Sequence, residues 1–172
     1  MVSRFRALTI GSLFAVSLAT WASAPSPASA GDGAADVVAT LTATLDGKPI
    51  PLADVGNYFC DDFSYPVIRC STSQLVFEAR ATLNALLTSV DYVTIWEYEY
   101  YAGSGMNVSQ DYTVLALIGW NDRISSFKAR NGETGAFHTD WFYGGSTWSF
   151  CCNQQLPTLG GYNNTFSSVN RT

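Results

Sequence analysis

Charge is scarce in this chain of 172 residues: Asp, Glu, Lys and Arg together make up 13% of it. Nine basic residues stand against fourteen acidic ones, a net charge of −5, and no basic cluster occurs. That argues against nucleic acid as a partner, because a phosphate backbone is gripped by grouped Lys and Arg. Histidine occurs once, at His138, so sites built on several imidazole ligands and catalysis by paired histidines are excluded. There is no Cys-x-x-Cys metal knuckle and no Gly-x-Ser-x-Gly nucleophile elbow. Beyond the N-terminal stretch, no apolar run approaches the ~20 residues of a membrane-spanning helix. What abounds is apolar and aromatic surface, 47% and 14% of the residues, enough to offset the entropy of ordering and to exclude a disordered chain. Fourteen Gly and nine Tyr against two Met indicate short strands and turns rather than a helical bundle. The length suits one domain, or a small domain with an appendage.

The N-terminus reads as an export signal. Arg4 and Arg6 precede an apolar run from Ala7 to Trp21, and small residues then lead to Ala28-Ser29-Ala30, the layout of a secretory signal peptide cut after Ala30. The expected mature product is a secreted, extracellular protein with no membrane association, and loss of two arginines takes its net charge to −7. Export makes disulfides the expected state of Cys60, Cys70, Cys151 and Cys152. Three pairings are open. Cys60 with Cys70 is favoured, because Tyr65-Pro66 between them can turn the chain back; it leaves adjacent Cys151 and Cys152, whose ring would be strained. The alternatives staple the front of the chain to its back.

Three segments follow: the signal over 1–30, an accessory segment of a strand plus a helix over 31–90, and a β-rich domain over 91–172. Gly31 to Ala35 is a small-residue lead-in. Val37 to Leu45 alternates apolar residues with Thr and closes on Asp46-Gly47, a strand and its turn. Ser71 and Gln74 have capping-box spacing. Leu75, Ala79, Leu83, Leu86 and Val90 recur at helical spacing, which predicts a core-covering helix from Ser73 to Leu87. Asp61-Asp62, beside Cys60, reads as a charged surface turn.

From Tyr92 onward one pattern occurs twice. Trp96-Glu97-Tyr98-Glu99-Tyr100-Tyr101-Ala102-Gly103 aligns with Phe137-His138-Thr139-Asp140-Trp141-Phe142-Tyr143-Gly144, an offset of 41. The stretch Leu117 to Phe127 aligns with Leu159 to Val169 at an offset of 42, implying one inserted residue between the blocks. Each repeat reads as aromatic strand, Gly turn, second strand, loop and final strand. Neither half can bury its apolar face alone, so the two should pack into one sandwich. The two loops, Asn-Asp-Arg-Ile-Ser-Ser and Asn-Asn-Thr-Phe-Ser-Ser, concentrate small oxygen-bearing side chains. Ca²⁺ takes 6–8 oxygen ligands from such groups and from backbone carbonyls. A single loop of this kind is as well explained by local turn bonds; its recurrence at equivalent places favours calcium.

These residues resemble the βγ-crystallin superfamily, in particular its microbial calcium-binding members. The resemblance covers Tyr92 to Thr172 and is carried by the aromatic-then-Gly hairpin and the Asn/Asp-Asn/Asp-x-x-Ser-Ser loop, once per Greek key. It implies a mainly β fold: a double Greek-key β-sandwich, here preceded by a small segment with one helix, holding two calcium sites shared between the keys. One site would take the Arg123 carbonyl, the Ser125 hydroxyl, the His138 carbonyl and the Asn163 side chain. The other would take the Thr165 carbonyl, the Ser167 hydroxyl, the Glu97 carbonyl and the Asn121 side chain. At either leading pair the neighbouring Asp122 or Asn164 is the alternative ligand. The family has Glu after the first aromatic, as at Glu97, whereas the second key has His138, contributing only its backbone carbonyl.

Other readings compete. His138 and Asp140 with the many serines admit a Ser-His-Asp arrangement only by counting, so the chain is expected not to be an enzyme. Trp141, Tyr143 or Trp148 could stack on carbohydrate. Relatives of this fold include protease inhibitors and toxins, so a secreted effector with an extracellular protein target is the alternative to a calcium module. The export reading has a direct check. N-terminal sequencing of the secreted protein should begin at Gly31, and a mature chain that retains Ala7 to Trp21 would reject it.

Overall fold

The computed structural model describes residues 41–172. The signal segment, the lead-in and residues 37–40 of the expected first strand lie outside them. Among the described residues, no helix is long and apolar enough to cross a membrane. The elements are β1 (Thr42–Leu45), β2 (Lys48–Ile50), β3 (Phe59–Ser64), β4 (Val67–Ser71), α1 (Gln74–Leu87), β5 (Tyr92–Tyr98), β6 (Ala102–Val108), β7 (Ser126–Arg130), β8 (Gly135–His138), β9 (Thr147–Phe150), β10 (Gln155–Leu156) and β11 (Ser168–Arg171). They form an eight-stranded sheet in the order β10-β7-β5-β6-β3-β4-β1-β2 and a three-stranded sheet β11-β8-β9. The mainly β fold class is as expected. Each repeat reaches into the other repeat's sheet: β10 pairs with β7, and Tyr112 makes a single bridge to Val169 of β11. This exchange makes the two Greek keys one sandwich.

Strand alternation builds the core. Val93 and Ile95 of β5, Met106 and Val108 of β6, and Phe127 and Ala129 of β7 point to one face of the large sheet, and all are buried. They meet an aromatic cluster from the second sheet. The ring of Phe137 lies 5.2 Å from Phe127, 4.9 Å from Phe150 and 5.1 Å from Phe166, the separations at which aromatic pairs attract beyond their burial.

The segment before Tyr92 carries four strands and a helix, where the sequence pattern indicated one strand and a helix. It continues the large sheet, since β3 pairs in parallel with β6 through Phe59 to Asp61 against Gly105 to Asn107. A second seam is a close backbone approach. Gly119 has φ +70, and a Cβ there would lie 2.2 Å from the Ala53 carbonyl; a Cβ on Gly56 would lie 2.1 Å from the Gly119 carbonyl. Only two glycines allow these turns to touch.

Three expectations are corrected in this segment. Asp61 and Asp62 are not a surface turn: both lie in β3 with no exposed area. As neighbours on a strand they face opposite ways. Asp61 binds Arg69 and Arg80 at 3.4 and 3.2 Å, while Asp62 accepts from Ser109 N, Ser109 Oγ and Tyr112 Oη at 2.7, 2.6 and 3.1 Å. The helix is where the periodicity put it, but its cap is Ser73, whose Oγ accepts from Val76 N; Ser71 Oγ instead accepts from Ser73 N. Its Leu75, Ala79, Leu83, Leu86 and Val90 stripe is exposed, Leu75 to 76%, and the buried side is Phe77 and Asn84. The Arg80 tether to Asp61 and the Asn84 Nδ2 bond to the Val90 carbonyl fix the rotation of the helix, overriding its apolar periodicity.

The Cys60–Cys70 disulfide is formed between directly opposed residues of β3 and β4. Cys151 and Cys152 are exposed free thiols, contrary to the expectation of full oxidation. Alkylation of the native protein without reductant should therefore add two groups, both on the peptide carrying Cys151 and Cys152; zero or four would contradict the arrangement.

Burial pushes the Asp62 carboxyl up to about 6, against the hydrogen bonds from Ser109 and Tyr112 that act to lower it. The folded state thus holds this proton more tightly than the unfolded chain does. The contribution of Asp62 to stability is highest in acid and falls as the pH rises through roughly 4 to 6. Asp62→Asn should flatten that fall. Between about pH 4.5 and 7.5, wild type should lose more of its denaturant midpoint than the variant; equal losses would refute the assignment.

Candidate metal centre

Each loop ends in two serines with different tasks, as neighbours on an extended chain must have. The second serine ties down the hairpin of its own repeat. Ser126 Oγ donates to the Tyr98 carbonyl at 2.8 Å and accepts from Tyr101 N at 3.1 Å. Ser168 Oγ does the same with the Asp140 carbonyl at 2.7 Å and Tyr143 N at 3.0 Å. Between those anchors the backbone takes positive φ at Tyr100 and Tyr101, and again at Phe142 and Tyr143. Such conformations are costly for aromatic residues, and both copies are held by the same bonds.

The first serine faces the oxygen cluster, and it reaches across to the other repeat. Ser125 Oγ lies 2.6 Å from the Glu97 carbonyl and 2.9 Å from Asn164 Oδ1. Ser167 Oγ lies 3.2 Å from Asp122 Oδ1. The loops are braced crosswise through backbone as well: Asn164 N donates to the Ile124 carbonyl at 3.0 Å, and Asp122 N to the Phe166 carbonyl at 2.9 Å. Asp122 and Asn164 both have positive φ, 53 and 56, a conformation that Asp and Asn tolerate.

These contacts set the repeat offset at 42 throughout, with no inserted residue. Ser125 N donates to the Trp96 carbonyl and Ser167 N to the His138 carbonyl, so Trp96 corresponds to His138 and Glu97 to Thr139. Matching Trp96 to Phe137 by their aromatic character is one residue out, and a slip of one exchanges the faces of a strand. Phe137 is the core residue equivalent to Ile95, whereas Trp96 points to the outer face. The grouping of the candidate oxygens follows that register. Ser125 stands with Glu97 and Asn164 rather than with His138 and Asn163. Ser167 stands with Asp122 rather than with Asn121 and Glu97. Thr139, absent from the sequence-based set, takes the place of His138: a cavity of about 360 Å³ is lined by Thr139, Asp140, Trp141 and Ser167. The signal for it was Gly145, whose φ of +73 matches the +80 of Gly103. A Cβ at Gly145 would lie 2.3 Å from Thr139 Oγ1. The adjacent Gly144 masked that correspondence.

The remaining residues of the set hold the loops in shape. Asn121 Oδ1 accepts from Trp141 Nε1 at 3.0 Å, and Asn121 Nδ2 donates to Asp122 Oδ2 at 2.6 Å. The Arg123 side chain turns away from the cluster to Glu97 Oε1 at 2.8 Å and to the Gly119 carbonyl at 3.0 Å. Burial disfavours the Glu97 carboxylate, but the bonds from Arg123 and Ser104 outweigh it and hold its pKa below the usual value. Thr165 Oγ1 donates to the Tyr162 carbonyl at 2.8 Å. The His138 ring meets Thr147 Oγ1 at 3.1 Å and Asn170 Oδ1 at 2.8 Å, so both its nitrogens are engaged outside the cluster and neither meets a serine or carboxylate.

Among the described residues no group of three or more His, Cys, Asp or Glu side chains is placed to hold a metal, so a carboxylate cage is not what these loops make. They gather hydroxyl, amide and carbonyl oxygens from two loops at hydrogen-bond distance, with one carboxylate, Asp122. The Asn163 Oδ1 atom is buried without a hydrogen-bond partner, an oxygen whose desolvation is uncompensated by protein. Neutral oxygens in this number suit Ca²⁺ and would not suit a softer ion.

The paired hairpins with their exchanged strands and the crosswise Ser-Ser loops decide the fold. The second half of the chain has the βγ-crystallin fold. Solved structures similar to the chain are domains of the same kind. A βγ-crystallin from an archaeon is 24% identical, covering 48% of this chain and 99% of its own, with a TM-score of 0.44. A βγ-crystallin from Ciona intestinalis is 21% identical over 47% of this chain and 99% of its own, TM-score 0.44. A βγ-crystallin domain from Clostridium beijerinckii is 23% identical over 46% and 95%, TM-score 0.42. No protein-family model matches the chain, and no curated protein matches it.

Proposed function

We propose that this βγ-crystallin-like protein is a secreted calcium-binding module in which two ions stabilise the paired Greek keys. The observation that carries the reading is the crosswise cluster: each loop's first serine lies against the second loop residue of the other key, Ser125 with Asn164 and Ser167 with Asp122. In one site the ion would be held by Ser125 Oγ, Asn164 Oδ1 and the Glu97 carbonyl, with the Thr165 carbonyl next in the chain. In the other it would be held by Ser167 Oγ, Asp122 and the Thr139 carbonyl, with the Arg123 carbonyl next in the chain. A bound ion supplies a positive charge on which these oxygens converge, joining the two repeats. The chain's own part is to keep the oxygens together, which the second serines and the bonds at Asn121 do. Ser125 and Ser167 hydrogens now satisfy neighbouring oxygens, so binding requires those hydroxyls to reorient.

Two sites built so largely of neutral ligands should be weak, in the extracellular range of ~10⁻⁴–10⁻³ M. Because binding favours the folded state by RT ln(1 + [L]/Kd), millimolar calcium should add roughly 1–3 kcal/mol over both sites. Thermal melts with chelator and with millimolar calcium should differ accordingly. Ser125→Arg and Ser167→Arg should each remove one binding event in calorimetry, since Arg brings a cation and no oxygen. Identical melts in both buffers together with no heat of binding would refute the proposal. Asp122 makes the Ser167 site the more anionic of the two, so it should fill first in a titration.

A further inference from the structure

A second candidate site lies on the outer face of the large sheet, beside α1. The register places Tyr92, Thr94 and Trp96 of β5 beside Arg130 and Lys128 of β7 and beside Asn107 of β6, all on the face opposite the core. Thr94, Trp96 and Asn107 are buried there, and α1, which packs on β3 and β4, flanks the face. Along its flank α1 lines the rim with the short side chains of Ala81, Thr82 and Ala85, the last two exposed. A cleft of about 470 Å³ remains, within the size range of small-molecule sites.

Its polar lining sets the donors Arg130, Lys128 and Asn107 Nδ2 on the sheet against the acceptor groups of Glu78, Gln74 and Asn131. Asn107 is 1% exposed; its Oδ1 accepts from the Thr94 hydroxyl at 2.9 Å, and its Nδ2 is buried with no partner among the described residues. An orphaned amide donor costs desolvation energy that only an acceptor recovers. Lys128 Nζ sits 3.8 Å from the Tyr101 ring and 5.4 Å from the Trp96 ring. Neither Lys128 nor Arg130 forms an ion pair with a carboxylate among the described residues. Glu78 at the rim accepts from Gln74 Nε2 at 2.8 Å and offsets one of the two cations. Aromatic surface comes from Phe77, Tyr92, Trp96 and Tyr101.

We propose that this cleft binds a small organic carboxylate whose body is a single ring. The carboxylate would lie on Arg130, Lys128 and the Asn107 amide, and the ring against Trp96 and Phe77. An acceptor head meets the donors of Arg130, Lys128 and Asn107, and a flat body meets aromatic side chains. Burial already lowers the pKa of Lys128, as does the charge of Arg130, partly opposed by Glu78; a bound anion would compensate that cost. Calcium plays no part in this binding.

The test is an NMR titration of the mature protein in calcium-free buffer, following the Asn107 side-chain amide and the Trp96 indole resonance. The probes are benzoate and glucuronate, with benzamide and glucose as their neutral counterparts and inorganic sulfate as a bare anion. Saturable shifts at both resonances with either carboxylate are expected, with the neutral compounds at least about tenfold weaker, the worth of one charge-assisted bond. Arg130→Gln should weaken the carboxylate by a similar factor, and Ala85→Phe, which fills the cleft, should abolish binding while leaving the melting profile cooperative. Silence of both resonances with both carboxylates would overturn the proposal. So would neutral probes that bind equally well, or sulfate that reproduces the carboxylate shifts in full.

Discussion

Everything distinctive in this half of the molecule depends on how two adjacent serines divide their work. An extended chain must send consecutive side chains to opposite sides. In each loop the first serine joins the oxygen cluster, and the second holds the folded hairpin of its own repeat. The hairpin contains two aromatic residues at positive φ, a conformation that costs on the order of 1–3 kcal/mol per residue and persists only where neighbours enforce it. Ser126 and Ser168 enforce it from both sides, by donating to a carbonyl and accepting from an amide. The candidate ion site and the strained hairpin are thus two ends of one arrangement.

The front segment changes what the sandwich can do. A double Greek key alone would expose the outer face of its first sheet and the edge of β6. Here β3 covers that edge, which removes a row of unpaired backbone groups. Two buried carboxylates tie the segment on, Asp61 through arginines on β4 and α1, and Asp62 through Ser109 and Tyr112. The arginine tether also fixes the helix over β3 and β4, and the cleft lies along its flank.

The repeated loops, the turn at Asp46-Gly47, the helix limits and the favoured disulfide were legible in the residues, because each is decided by neighbours in the chain. The errors have a common cause. Pairing Trp96 with Phe137 matched residue type where the face of the strand was what mattered, and a period of two turns a one-residue slip into an inside-out alignment. The Leu stripe of α1 follows helical spacing faithfully, yet it faces outward. Asp61-Asp62 looked like surface because buried charge is rare; Arg80, Ser109 and Tyr112, which hold them, lie 19 to 50 residues away, beyond the reach of any local pattern.

By itself, then, the sequence determined the texture of the protein: strands from alternation, two keys from the repeat, and an oxygen-bearing loop in each from its Asn, Asp and Ser residues. Local spacing suffices for these because strand, turn and loop chemistry act over a few bonds. Which oxygens share a site was decided only in three dimensions. Ser125 meets Asn164, and Ser167 meets Asp122, because the keys pack as a crossed pair. The same packing brings Thr139 to the place that local matching assigned to His138, and the tertiary ion pair of Asp61 with Arg80 turns the helix. Long-range contacts choose among locally equivalent faces, and that choice is what sets both candidate sites.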